Sequence, residues 1–154
     1  YQRERCNSNE SNNNLTKKRE QNQNMKALDS TFIIDFLRGE SAATQKAKEL
    51  ENETFATTYI NYFEVILGEL NIHRTDDEHI KKAIELFSRI EVFELNKTAA
   101  TTSAHIGAAL NKKGIKINSH DVLIAGILLS KGITTIITKD KDFEKITGLK
   151  TETY

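Results

Sequence analysis

The run Ile-Thr-Thr-Ile-Ile-Thr at residues 133–138 constrains the fold more than any other feature of the sequence. All six side chains branch at Cβ and none is charged, which favours an extended strand buried on both faces. The run follows a very apolar segment, residues 119–131, which begins after the capping residue Asn118 and ends at Gly132. We therefore predict a buried helix leading into a central parallel strand.

Predicted strands and helices alternate along the chain from Met25. We predict strands at residues 26–28, 54–58, 91–95, 133–138 and 149–153, and helices at about residues 31–38, 42–51, 59–70, 77–89, 98–113, 119–131 and 142–146. Apolar spacing predicts the inward residues of two helices, namely Ile60, Phe63, Leu67 and Leu70 in the first and Ile80, Ile84 and Phe87 in the second. The alternation predicts an α/β protein, a three-layer α/β/α fold with a mostly parallel central sheet.

The first 24 residues differ from the rest in composition. They contain one Leu, many Asn and Gln, and mixed charge, which is too little apolar surface to offset the entropy of ordering. We expect residues 1–24 to be a disordered or non-native leader and residues 25–154 to form one domain. The leader holds five basic and three acidic residues, so the domain has 17 basic and 19 acidic residues. A nucleic-acid binder with this balance needs a local basic patch or metal ions.

Cysteine count and hydropathy bear on location. Cys6 is the single cysteine, so no internal disulfide can form, which fits a reducing cytosol. No apolar run approaches the roughly 18 residues of a membrane span, and the polar N-terminus lacks a secretion signal. We expect a cytoplasmic protein that does not contact a membrane.

Acidic residues recur where a doubly wound sheet places its site, beyond the carboxyl ends of the strands. These are Asp29, Glu64, Asp121 and Asp140, with Asp142 two residues after the last. Each also has a structural explanation as a helix cap, a capping-box residue or an exposed helix residue. Four acids on one edge of a sheet are harder to explain as caps alone.

Several carboxylates in one partly buried cleft repel each other, and a divalent cation removes that repulsion. Hard oxygen ligands suit Mg²⁺ or Mn²⁺ better than Zn²⁺, for which the chain offers no cysteine pair and only scattered histidines. His120 is the histidine of most interest, because it adjoins Asp121.

Four stretches in order carry a family likeness: KALDSTFIIDFLRGE, TTYINYFEVILGEL, INSHDVLIAGILLSKGITTIITKDKDF and ITGLK. Together they resemble PIN domains, and most closely the VapC-type toxins of toxin–antitoxin pairs. The likeness extends over residues 25–154. It implies an endoribonuclease that uses Mg²⁺ or Mn²⁺, forms a homodimer, and is silenced by a cognate antitoxin that covers the cleft.

The resemblance also assigns residues. By position, the metal-binding catalytic acids are Asp29, Glu64, Asp121 and Asp140, and the auxiliary residues are Thr31, Thr138 and Asp142. Asp35 is frequent in such toxins, but it lies almost two turns into the first helix and ranks below these. The candidates for contacts to the RNA backbone are Arg38, Lys112, Lys113 and Lys116, for which a solvated surface is the simpler explanation. Arg38 could instead meet an antitoxin tail.

Three other functions stay open. A housekeeping RNA-processing nuclease would share every feature above. A non-catalytic PIN-fold module would dock a partner, although it would have no need of all four acids. A phosphotransfer domain also places Asp at strand ends, but it needs a Lys after a later strand, for which Lys139 is the only near match.

Overall fold

Five parallel strands form the centre of the protein in a computed structural model, which describes residues 22, 24–72 and 77–154. The strands are β1 (Met25–Leu28), β2 (Thr54–Thr58), β3 (Glu91–Phe93), β4 (Thr135–Ile137) and β5 (Lys150–Glu152). The helices are α1 (Ser30–Leu37), α2 (Ser41–Glu49), α3 (Tyr59–Ile72), α4 (Asp77–Phe87), α5 (Lys97–Lys112) and α6 (Ser119–Ser130), and a 3₁₀ helix spans Lys141–Lys145. The predicted α/β/α fold is confirmed.

The strand order is β3-β2-β1-β4-β5, and every neighbouring pair is parallel. Strand β1 is central, because Ala27 pairs with Ala56 of β2 on one side and with Ile136 of β4 on the other. The chain passes from β1 outward to β2 and β3, then returns to the far side of β1 to form β4. The strand order therefore reverses between β1 and β4, and a crevice is expected beyond their carboxyl ends.

Strand β4 is covered on both faces, as its β-branched sequence predicts. Ile136 belongs to the apolar cluster on the side of α6, with Ile124 and Leu128. Its neighbour Ile137 belongs to the opposite cluster, with Ile33 of α1. Successive residues of a strand point to opposite faces, so the two clusters lie on the two sides of the sheet.

Helix ends at Gly39 and Gly114 follow the sequence signals. Both glycines have positive φ angles, 74° and 69°, and they follow the last turns of α1 and α5. A residue with a Cβ atom is strained in this left-handed conformation, so glycine lets the chain turn away from the helix.

The predicted inward faces of α3 and α4 are partly wrong. In α3, Phe63, Leu67 and Leu70 are exposed, and the buried residues are Asn61, Val65 and Glu69. Hydrogen bonds of Asn61 to Thr58 and Asp29 turn this polar side chain inward, so the helix presents a different face to the core. In α4, Ala83 and Phe87 are buried whereas Ile84 is exposed.

The predicted leader lies mostly outside the described residues, since residues 1–21 and 23 are not among them. Asn22, which is described, is buried, and its Nδ2 donates to the carbonyl oxygen of Lys131 at 3.0 Å. Among the described residues, no helix has the length and apolar character needed to cross a membrane.

Candidate active site

The predicted site residues surround the point where the strand order reverses. Asp29 directly follows β1, and Thr138 and Asp140 follow the adjacent strand β4. The backbone N–H of Asp29 donates to the carbonyl oxygen of Ile137 at 3.2 Å, which joins the two strand ends. Parallel pairing alone thus brings residues over 100 positions apart into one crevice.

Asp29 is the most enclosed acid of the site, with 3% of its surface exposed. Its Oδ2 accepts hydrogen bonds of 2.7 Å from the hydroxyls of both Thr31 and Thr138. Its Oδ1 accepts from Asn61 Nδ2 at 3.0 Å. Burial raises the pKa of this carboxyl, and the hydroxyl donors oppose that rise.

The capping explanation does not account for Asp29. The residue occupies the N-cap position of α1, yet its side chain makes no capping hydrogen bond. Its oxygens are instead held by residues from α1, α3 and the end of β4. The carboxylate is therefore held by partners from three elements and does more than cap its own helix.

Glu64 of α3 is held from two sides. The Ser30 hydroxyl donates to its Oε2 at 2.7 Å, and its Oε1 lies 3.1 Å from Nδ1 of His120. The Phe63 and His120 rings also meet edge to face, with centroids 6.4 Å apart. His120, the histidine singled out in the sequence, therefore contacts Glu64, the second predicted acid.

Asp121, in the first turn of α6, carries the strongest sign that the acids converge. Its pKa is raised to about 7, first by burial and then by the negative charges of Asp140, Asp29, Glu64 and Asp142. Charges affect one another's pKa mainly over short distances in a poorly solvated region. The fold thus brings the five predicted acids into one electrostatic neighbourhood.

Asp140 and Asp142 belong to the turn that begins the 3₁₀ helix. Asp140 Oδ1 accepts from the backbone N–H of Asp142 at 2.8 Å, so the capping explanation holds for this residue. The backbone N–H of Asp140 donates to the Thr138 hydroxyl at 2.9 Å. Lys145 donates to Asp142 Oδ1 at 2.5 Å. Thr138 consequently links this turn to Asp29.

The donor set fits a hard divalent cation. Among the described residues, no three acidic, histidine or cysteine side chains already converge at ligand distance. The acids instead turn to nearby donors, Glu64 to Ser30 and His120 and Asp140 to a backbone N–H, which reduces their mutual repulsion. The raised pKa of Asp121 shows that repulsion remains, and a cation bound by carboxylate oxygens would remove it.

The predicted RNA-contact residues occupy two regions. Arg38 follows α1 and lies close enough to Asp35 to lower its pKa, together with Lys139, whose effect is larger. Lys112, Lys113 and Lys116 are exposed at the end of α5 and in the loop before α6. Lys113 also lines a cavity of about 220 Å³ with His105 and Lys145.

Sequence reasoning missed Asn61 as a member of this region and considered Lys139 only for the phosphotransfer alternative. Asn61 lies three residues after Thr58, and two hydrogen bonds join them. The Thr58 hydroxyl donates to Asn61 Oδ1 at 2.7 Å, and the backbone N–H of Asn61 donates to the Thr58 hydroxyl at 3.2 Å. A polar residue in the otherwise apolar start of a helix was the available signal. For Lys139, the signal was its position between two predicted site residues.

The fold and the acids together define the class: doubly wound α/β proteins with an acidic site at the carboxyl edge of the sheet. The profile of the PIN domain family matches residues 26–149, and the chain belongs to that family.

Two kinds of relatives agree with this assignment. The tRNA(fMet)-specific endonuclease VapC of Shigella flexneri is 27% identical over 128 residues, which cover 82% of this chain and 96% of the relative. The structure of VapBC2 from Rickettsia felis bound to a promoter DNA fragment is similar with a TM-score of 0.74 and 20% identity, covering 84% of this chain and 98% of the other. The structure of a toxin–antitoxin complex from Klebsiella pneumoniae is similar with a TM-score of 0.64 and 22% identity, covering 82% of this chain and 96% of the other. The resemblance predicted from the sequence is confirmed.

Proposed function

We propose that this protein is a metal-dependent endoribonuclease, the toxin of a VapBC-type toxin–antitoxin pair. The observation that carries the proposal is the convergence of charge on Asp121, whose pKa is raised to about 7 by burial and by four other acids. Such a cluster is costly without a cation and is suited to hydrolysing phosphodiesters with one. The family membership and the named activity of the Shigella flexneri relative point the same way.

The catalytic roles proposed for these carboxylates come from the resemblance to PIN domains, and the contacts of Asp29 and Glu64 support them. Asp29, Glu64, Asp121 and Asp140 would bind Mg²⁺ or Mn²⁺, and Thr31, Thr138 and Asp142 would assist. When bound, the cation would offset the carboxylate charge and lower the pKa of the attacking water. Thr31 and Thr138 fix the orientation of Asp29, and Ser30 fixes that of Glu64. Attack by water would leave a 5′-phosphate and a 3′-hydroxyl.

A cleavage assay on tRNA(fMet) and on single-stranded RNA, with Mn²⁺ or Mg²⁺ and with EDTA, tests this function. We expect cleavage with metal and none with EDTA. Asp29→Asn should abolish cleavage without unfolding the protein, because burial already favours the neutral form of this side chain. Glu51→Gln removes an exposed acid in the turn before β2, at the opposite edge of the sheet, and should cut as the parent does. Cleavage by Asp29→Asn at the parent rate would contradict the site.

The partners proposed are the RNA substrate, a cognate antitoxin and a second copy of the chain. Similar structures include a toxin–antitoxin complex, which supports the antitoxin. The second copy is supported by α3, whose Tyr59, Phe63, Leu67 and Leu70 recur at helical spacing and are all exposed. A housekeeping nuclease would cut RNA without a toxic effect, whereas expression of the toxin should arrest growth unless the antitoxin is present.

A further inference from the structure

Lys139 lies at the rim of the candidate active site and is held there by two residues distant in sequence. Its Nζ donates to Asp35 Oδ2 at 2.8 Å and lies 4.3 Å from the ring centroid of Tyr154. The Tyr154 hydroxyl donates to the same Asp35 oxygen at 3.0 Å. The Tyr154 ring also packs edge-on against Phe32 of α1, with centroids 4.9 Å apart. We refer to Asp35, Lys139 and Tyr154 as the rim cluster.

The rim cluster lies next to the two threonines that donate to Asp29, the most buried acid of the site. Lys139 stands between Thr138, which donates to Asp29, and Asp140. The Tyr154 hydroxyl also lies close enough to Thr31, the second hydroxyl donor to Asp29, for Thr31 to influence the pKa of Tyr154. The positively charged ammonium group of Lys139 is therefore held beside a group of carboxylates that would otherwise repel the RNA backbone.

The contacts of Lys139 leave it free to bind an anion. An ammonium group has three N–H donors, and Asp35 accepts one of them. About half of the lysine side chain, 48%, is exposed. Asp35 stays ionised because the hydrogen bond from Lys139 and that from Tyr154 lower its pKa. A long side chain that is already held loses less conformational entropy when it binds a ligand.

We propose that Lys139, held by Asp35 and Tyr154, binds a backbone phosphate of the RNA beside the one that is cleaved. This inference rests on the proposed ribonuclease function and adds a phosphate subsite to it. The acids on the other side of the crevice repel phosphate groups. The RNA strand would therefore extend from the cleavage point toward Lys139. Its competitor is a purely structural role, in which the Lys139–Asp35 pair only ties α1 to the turn after β4.

Salt-dependent RNA binding separates these two roles. The probe is a fluorescein-labelled single-stranded RNA of about 20 nucleotides, whose affinity is measured by anisotropy in EDTA between about 50 and 200 mM salt. Lys139→Gln should raise Kd roughly fivefold and reduce the slope of log Kd against log salt by about 0.7, the value for one phosphate contact on a single strand. Lys139→Arg keeps the charge and should keep the slope.

Two further variants complete the test. Lys82→Gln removes a lysine of α4 that makes an ion pair of similar length, 2.9 Å to Glu78, and should bind RNA as the parent does. Tyr154→Phe keeps the ring but loses the hydroxyl, so Kd should rise about twofold while the slope is unchanged.

The outcomes distinguish this inference from the proposed function. If Lys139→Gln binds with the affinity and slope of Lys82→Gln, or if the parent does not bind the probe, the phosphate subsite is overturned. The proposed ribonuclease stands or falls separately, with metal-dependent cleavage by the parent and its loss in Asp29→Asn.

Discussion

Asp29 illustrates how individual side chains determine the geometry of the site. Its carboxylate is buried and accepts from Thr31, Thr138 and Asn61, so each oxygen has a fixed direction. Losing one donor leaves a buried acceptor with fewer partners, which costs more than an average hydrogen bond gains. The stability of the fold and the orientation of the first predicted acid therefore depend on the same contacts.

Replacing Asn61 with Ala should lower the stability of the protein and disturb the orientation of Asp29. The change removes the donor to Asp29 Oδ1 and the partner of Thr58, both buried, so we expect a loss of about 1–3 kcal/mol in the free energy of unfolding. Cleavage should fall as well, because Asp29 loses part of its orientation. Urea denaturation and the RNA assay measure these effects. Asn111→Ala, at an exposed position of α5, is the control. Equal stabilities of the two variants would contradict the role given to Asn61.

The titration of Asp121 predicts how stability depends on pH without metal. Its pKa in the folded protein is raised from 3.8 to about 7, so the folded state binds more protons than the unfolded state between these values. The free energy of unfolding should then fall as pH rises through this window. The pKa values of Asp35 and Glu152 are lowered, so these two carboxyls do not titrate between the two pH values compared. In EDTA, Tm should be higher at about pH 5.5 than at about pH 8.

Asp121→Asn is the matching variant, because it removes the titrating group and keeps its shape. Its Tm should vary less between the two pH values, and Mn²⁺ should raise Tm at the higher pH in the parent only. A parent Tm that is the same or higher at about pH 8 would mean that the acids do not converge as described.

At the scale of elements, α5 and α6 approach each other closely at Gly126. A Cβ atom added there would lie 1.9 Å from Ser103 Oγ and 2.7 Å from the Ser103 backbone nitrogen. Gly107 of α5 differs, since a Cβ atom there would meet Val122 Cγ1 at an ordinary 3.8 Å. The two glycines share a helical setting but only one is required by packing.

Matched Gly→Ala substitutions test this difference. Gly126→Ala should lower the free energy of unfolding by about 1–3 kcal/mol, because the backbone of α5 must shift. Gly107→Ala should raise it by about 0.5–1 kcal/mol, as expected for alanine in a helix interior. Denaturant unfolding of both variants measures the contrast. A stabilising Gly126→Ala would show that the helices are farther apart than described.

Local sequence patterns predicted some of these elements correctly and others incorrectly. The β-branched run and the capping glycines predict β4 and the helix ends, since these depend on local conformation. The buried face of α3 was predicted wrongly in part, because Asn61 bonds to partners just after β1 and at the end of β2, which local spacing does not reveal. The acids could be predicted as a set, whereas the donors that hold them depend on the tertiary fold.

At the scale of the whole molecule, the exposed face of α3 predicts self-association. Phe63 and Leu67 are 53% and 43% exposed, which is unusual for neighbouring apolar residues in a monomer. The double substitution Phe63→Glu and Leu67→Glu should convert a dimer into a monomer in analytical ultracentrifugation, because two buried charges per chain would oppose association. Leu95→Glu introduces a charge at another exposed apolar residue and should leave the dimer intact. A monomeric parent would contradict the prediction.

The strand order has a consequence for synthesis of the chain. Asp29 is made before Thr138 and Asp140, which complete its surroundings and reach it only when β4 inserts beside β1. A ribosome-bound fragment that stops before β4 has neither, so it carries the first acid without a working arrangement. We therefore expect the proposed cleavage of RNA to begin only after β4 has been made and has paired with β1.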